Sequence, residues 1–171
     1  ADYTEKIPNN VDLHDDRPGH TSTVQRGGGI AVAVRVPSWR ARADRPGRDI
    51  DFATDRGSRR AVTELLEGQG YVADRRYNVA NGHKQLYFVD PANARPVDVL
   101  IDRMEMCHKF EFADRLAVDK PTLPLAEMLL TKVQIAQINR KDILDGLALL
   151  SEYPLGSTDE GTINVDRITG L

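Results

Sequence analysis

Arg48-Asp49-Ile50-Asp51-Phe52 and Arg95-Pro96-Val97-Asp98-Val99-Leu100-Ile101-Asp102 each set carboxylates inside an apolar run, and the rest of the chain can be ordered around them. Successive strand side chains point to opposite faces, so Asp49 and Asp51 share one face and Ile50 takes the other. Asp98, between Val97 and Val99, supplies a third carboxylate from a neighbouring strand. Acids on a half-buried strand are costly unless something offsets their charge. Three hard oxygen donors on one face suit a divalent cation and phosphate chemistry. Two competing readings stand beside this one. Asp98 pairs with an arginine, with Arg45 and Arg48 as the nearest candidates for the aspartates in general. Alternatively Asp102, on the same face as Asp98, is the third ligand, although it falls at a strand end where exposure costs little.

Upstream, Gly27-Gly28-Gly29 leads into Ile30-Ala31-Val32-Ala33-Val34-Arg35-Val36, a run that is either a strand or a buried helix starting at the glycines. Glycines there let backbone N–H groups approach a phosphate closely. Residues 38–47 read as a basic loop and Asp49 to Ala53 as a strand. Ser58 to Gln69 reads as a helix with Ala61, Val62, Leu65 and Leu66 on one face. Tyr71 to Tyr77 and Lys84 to Val89 read as strands joined through the turn-forming Asn81-Gly82. After the Asp90-Pro91 turn comes a strand from Val97 to Ile101. A helix from Leu123 to Ile138, capped by Thr122, follows. A second helix spans Arg140 to Glu152, capped by Asn139, with Ile143, Leu144, Leu147 and Leu150 turned inward. Lys132 interrupts the apolar stripe of the first of these helices. It is read either as a side chain snorkelling to water or as a cation that reaches a phosphate. Asp142 and Asp145 open the second helix, where acids meet the dipole favourably.

The bulk composition excludes several classes. The chain has 171 residues, 40% of them hydrophobic, with a net charge of -3 and one cysteine, Cys107. That suits one domain with a real core. No apolar run approaches the roughly 18 residues of a membrane helix. A single cysteine gives no internal disulfide and fits a reducing cytoplasm. With no paired histidines, a structural zinc site is not expected. Charge is unevenly spread: residues 26–60 hold nine arginines against four aspartates, whereas residues 141–171 hold six acids and two bases. A positive segment beside carboxylates attracts an anion such as a triphosphate or a nucleic-acid end.

A glycine pair, then Asp-x-Asp on a strand, then a third Asp on a later strand resembles the DNA polymerase β-like nucleotidyltransferase superfamily. The matching residues are Gly28 and Gly29, Asp49 and Asp51, and Asp98. The chain is more closely similar to bacterial stand-alone nucleotidyltransferase-like proteins, including the abortive-infection toxin branch. There a lysine-bearing helix precedes a Lys/Arg-Asp-x-x-Asp helix start, as Leu129-Leu130-Thr131-Lys132 precedes Arg140-Lys141-Asp142-Ile143-Leu144-Asp145 here. The likeness spans roughly residues 27–156. The chain departs from it in the long gap between Gly29 and Asp49 and in lacking Ser after the first glycine.

Strands with one helix, followed by a helical pair, read as α+β, and the resemblance implies a small mixed β-sheet of the nucleotidyltransferase type with that C-terminal helical pair. Residues 1–26 are expected to form an irregular arm, 27–112 the core, and 113–171 a helical segment packed on it. The implied activity is Mg²⁺-dependent (or Mn²⁺-dependent) transfer of a nucleotidyl group from a nucleoside triphosphate to a hydroxyl of a tRNA end, another RNA, a protein or a small molecule. Asp49, Asp51 and Asp98 would be the catalytic metal ligands, and Gly28, Gly29 and Lys132 the nucleotide contacts. The alternative is a non-catalytic module of the same fold, acting by nucleotide binding or in a toxin–antitoxin-type interaction. A cytoplasmic protein with no membrane partner is expected.

Overall fold

The structure, a computed structural model, describes residues 11–14, 21–42, 49–134 and 136–171. In chain order its elements are β1 (Val11–His14), β2 (Thr21–Arg26), α1 (Gly28–Arg35), α2 (Pro37–Arg42), β3 (Ile50–Thr54), α3 (Arg59–Gly68), β4 (Val72–Ala73), α4 (Arg75–Asn81), β5 (Gln85–Asp90) and β6 (Arg95–Ile101). A short hairpin of β7 (Arg103–Glu105) and β8 (Lys109–Glu111) follows. Then come α5 (Leu125–Val133), α6 (Arg140–Glu152), the two-residue strands β9 (Leu155–Gly156) and β10 (Ile163–Asn164), and α7 (Val165–Thr169).

Six strands form one mixed sheet in the order β1-β2-β3-β6-β5-β4. Only β3 and β6 run parallel; the other neighbours are antiparallel. The protein is therefore α+β with a mixed sheet. Alternation of side chains along β3, β5 and β6 gives the sheet two distinct faces. On one, Ile50, Phe52, Leu86, Phe88, Val97, Val99 and Ile101 pack with Val62 and Leu66 of α3. On the other, Ala53 joins a cluster with Ala31 and Val32 of α1, Leu125, Met128 and Leu129 of α5, and Ala148 and Leu149 of α6. Asp51 lies two residues before Ala53, and so on this second face. The C-terminal helices thus share a core with α1 instead of forming a separate unit.

The turn between β5 and β6 forms at Asp90-Pro91, where the Asp90 carboxylate accepts hydrogen bonds from Ala92 N (3.0 Å), Asn93 Nδ2 (2.7 Å) and Arg95 Nη2 (2.8 Å). Four expectations need correction. The stretch taken for an irregular arm contributes β1 and β2 to the main sheet; Val24, Gln25 and Arg26 pair with Thr54, Ala53 and Phe52, so sheet hydrogen bonding overrides a polar sequence with no clear period. Of the two readings left open for the run after the glycines, the structure has the helix, α1. Residues 71–82 make the short β4 and then α4, capped by Asp74, whose side chain accepts from Tyr77 N, in place of a long hairpin. The helix expected over Leu123–Ile138 runs only from Leu125 to Val133; Pro124 stands at its N-cap, and Thr122 instead accepts a hydrogen bond from Arg35 Nε at 2.7 Å. Part of the expected basic loop is helical (α2), and the remainder, with Arg45 and the Arg48 side of the aspartate motif, lies outside the described residues.

The largest correction concerns α6. Asn139 does cap it, accepting from Asp142 N at 2.9 Å. But Ile143, Leu147 and Leu150 are exposed, whereas Asp142, Asp145, Gly146, Ala148 and Leu149 are buried. The helix is rotated so that its two aspartates face inward. Gly146 faces α5, where a Cβ would stand in ordinary van der Waals contact with Leu129 Cδ1 at 3.6 Å. Among the described residues, no helix is long and apolar enough to cross a membrane.

Candidate active site

Parallel pairing sets Asp51 of β3 directly opposite Asp98 of β6. Partners in a parallel ladder project to the same face. Two of the three expected carboxylates are therefore neighbours on the sheet, and Asp49 precedes Asp51 by two residues on the same side. Burial pushes the Asp51 carboxyl up to about 6; Lys132 and Lys141 oppose this, while the charges of Asp98 and Asp49 add to it. Burial also raises Asp98, against the hydrogen bond it accepts from Gln85 and with a further push from Asp49. The three acids thus sense one another's charge.

The start of α1 rests on this surface. Gly27 N donates to the Asp51 carbonyl at 2.8 Å. Gly28 has φ +59, and a Cβ on it would fall 1.8 Å from Asp51 Oδ2, so only glycine fits here. The first helical bond runs from Ala31 N to Gly27 O, which leaves the amides of Gly28, Gly29 and Ile30 ahead of it at the positive end of the helix. Gly29 also borders Asp145, whose Oδ2 would lie 3.6 Å from a Cβ placed there.

Lys132 is buried and committed. Its ammonium lies 3.2 Å from Asp142 Oδ1 and 3.2 Å from Asp145 Oδ2. It does not snorkel to water, because the rotation of α6 supplies two carboxylates to a charge that burial would otherwise penalise. Asp142 is held further by Asn139 Nδ2 at 2.6 Å. Lys141 lies 3.6 Å from Asp49 Oδ2, a half-exposed pair at the rim. Asp102, the competing third ligand, is outside β6 with φ +63, and accepts from Arg56 N at 2.8 Å. That backbone turn takes it away from the carboxylate row.

Gln85 and Tyr77 complete the surroundings and carried no motif in the sequence, whereas Lys141 and Asp145 belong to the Arg140–Asp145 stretch already singled out there. Asp145 had a usable signal: a lysine inside an apolar helical stripe needs an acid partner, and an Asp-x-x-Asp spacing places two on one helix face. Among the described residues, no three His, Cys, Asp or Glu side chains converge closely enough to hold a metal ion as they stand. The donor chemistry fits a divalent cation nonetheless: these are oxygen ligands, and Asp51 carries a raised pKa that a cation would relieve. A separate cavity of about 430 Å³, lined by Arg35, Asp119, Leu125, Tyr153 and Asp159 among others, shares no residue with this cluster.

No protein-family model matches the chain, and neither a curated protein nor a solved structure matches it. Any functional reading therefore stands on the residues themselves.

Proposed function

We propose that this chain is a metal-dependent nucleotidyltransferase of the polymerase β-like type, transferring a nucleotidyl group from a nucleoside triphosphate to a hydroxyl acceptor. The observation that carries the reading is the in-register pair Asp51 and Asp98, capped by a helix N-terminus that only Gly28 can bring so near. Asp51 and Asp98, with Asp49, would hold Mg²⁺ or Mn²⁺. Such an ion, when bound, supplies charge neutralisation on the triphosphate and lowers the barrier to in-line displacement.

The chain's own groups have separable tasks. The amides of Gly28, Gly29 and Ile30 offer donors and a positive pole to phosphate oxygens. Asp98, with its raised pKa, takes the proton from the attacking hydroxyl. Lys132 acts from behind: its field counters the tendency of Asp51 to protonate. An ammonium has three N–H donors, so Lys132 can face Asp142 and Asp145 and still turn one toward a phosphate. A ligated ion competes with Lys141 for Asp49 and with Gln85 for Asp98. RNA fits the arginine-rich segment as acceptor, and a protein or small-molecule hydroxyl fits the same chemistry.

One observation favours the second reading, a non-catalytic module that binds nucleotide or a protein partner: the acids are not gathered at ligating distance. Incubation with each α-labelled nucleoside triphosphate, Mg²⁺ and RNA distinguishes the two. The enzyme reading expects label on the acceptor or on the chain itself, lost in folded Asp51→Asn and Asp98→Ala. Heat from nucleotide binding without any label transfer under all four nucleotides supports the module instead.

A further inference from the structure

Asp98 has a different neighbour on each side. Asp51 stands opposite on β3, and Tyr87 stands opposite on β5. Gln85 pairs with Leu100, two residues beyond Asp98, and so lies diagonally across from the carboxylate on the same face. From there Gln85 Nε2 donates to Asp98 Oδ1 at 2.5 Å. The other end of the same amide is also taken: Gln85 Oε1 accepts from the Tyr77 hydroxyl at 2.8 Å. Because a carboxylate can only accept, the amide must present its NH₂ to Asp98, and the phenol fixes it that way round by claiming the oxygen.

Tyr77 is itself held. Its ring packs on Tyr87 with centroids 5.8 Å apart. Its helix, α4, is fastened to β5 by paired bonds between Asn78 and the Tyr87 backbone, at 2.7 Å and 3.1 Å. The chain Tyr77–Gln85–Asp98 therefore ties a rigid sheet-edge helix to one oxygen of the third carboxylate. Among the described residues, Oδ2 of Asp98 accepts no hydrogen bond, so the side chain is pinned through Oδ1 with the other oxygen left for a ligand.

We propose that Gln85, locked by Tyr77, is the positioning residue that aims Asp98 toward Asp51 for cation binding and transfer. This rests on the nucleotidyltransferase reading above. A plain fold brace would predict that Tyr77 and Gln85 affect only stability. A positioning relay predicts that they act on the cation and on turnover, and that Tyr77 acts only through Gln85.

The test uses the full chain. Mn²⁺ binding is measured by electron paramagnetic resonance without nucleotide, and labelled transfer is measured with it. Gln85→Leu should weaken Mn²⁺ binding and lower kcat, each about tenfold, as loss of a carboxylate's supporting hydrogen bond does, while KM for the nucleotide stays within about twofold. Tyr77→Phe should shift both in the same direction by about two- to threefold. The double variant should match Gln85→Leu alone, because the phenol has no other route to Asp98. Tyr77→Phe keeps the ring packing and so carries the test if Gln85→Leu fails to fold. Wild-type Mn²⁺ affinity and kcat in folded Gln85→Leu, or a Tyr77→Phe effect undiminished in the Gln85→Leu background, overturns the proposal. If Asp98→Ala loses Mn²⁺ and transfer while Gln85→Leu keeps both, the relay falls and the enzyme reading stands. If the wild-type chain neither binds Mn²⁺ nor transfers a nucleotide, both fall together.

Discussion

Around Glu127 of α5, two guanidiniums meet two carboxylates. Around Lys132 of the same helix, one ammonium meets two carboxylates and its field reaches a third, Asp51. Glu127 is fully buried, and its Oε1 accepts from Arg115 Nε at 2.9 Å and Arg167 Nε at 2.8 Å. Arg115 also grips Asp159 through two bonds, 2.6 Å and 3.0 Å. The consequences are opposite. Arg115 holds Asp159 below the usual carboxylate range, whereas burial and like charge push Asp51 up to about 6. The first network is balanced and fastens α7 to α5. The second is left with negative charge to spare on a surface that a helix N-terminus also approaches. Compensated charge marks scaffold; the uncompensated kind marks the place where a cation would be welcome.

Glu127→Ala should have the largest effect, since it removes a fully buried carboxylate shared by two part-buried guanidiniums. A loss of about 3–5 kcal/mol in urea unfolding is expected, with transfer per folded molecule unchanged. Asp51→Asn should do the reverse. Between the ordinary Asp pKa and about 6, the folded state of the wild type binds a proton that the unfolded chain does not. Its stability therefore falls as pH rises through that window, and the penalty is complete above it. The amide removes the penalty, so the variant should be more stable by about 1–3 kcal/mol at pH 7.5 and level with wild type near pH 4, while transfer drops roughly 10³-fold. Asp159 has the opposite sign: its contribution is present at neutral pH and disappears in acid, below the ordinary carboxylate range. Gly28→Ala should cost about 1–2 kcal/mol from the left-handed backbone alone and should displace Asp51, seen as loss of any Mg²⁺-dependent rise in Tm. The exposed pair of Arg60 and Glu64 on α3 serves as the control: Glu64→Ala should change stability by less than about 0.5 kcal/mol.

The carboxylate row was legible because a two-residue period is a strong local signal: Ile50 and Phe52 are buried on one face, and Asp51 must take the other. Asn139, too, caps its helix as its side chain chemistry demands. The orientation of α6 was not legible. Its leucines and isoleucine outnumber its aspartates, so apolar periodicity alone turns the wrong side inward. What decides the rotation is Lys132, a buried charge on a different helix, and no window along α6 contains it. Residues 71–82 misled for a related reason. Tyr, Val and Tyr carry strand propensity, but Asp74 can cap, and the bonds from Asn78 to Tyr87 favour a helix at the sheet edge. The relay from Tyr77 through Gln85 joins residues on α4, β5 and β6, and no local pattern encodes it.

The parallel pairing of β3 with β6 also bears on the order of assembly. β5 and β6 are joined by a tight turn and can zip together early, at little loop-closure cost. β3 reaches the same strand only after α3, β4, α4 and β5 have been threaded between them. Asp51 and Asp98 are thus strangers until a late step, and their meeting brings like charges together without any local contact to reward it. Pulse-labelled hydrogen exchange should find the amides of β5 and β6 protected before those of β3. Nascent chains would hold half of the carboxylate row for a time, with the other half still to dock.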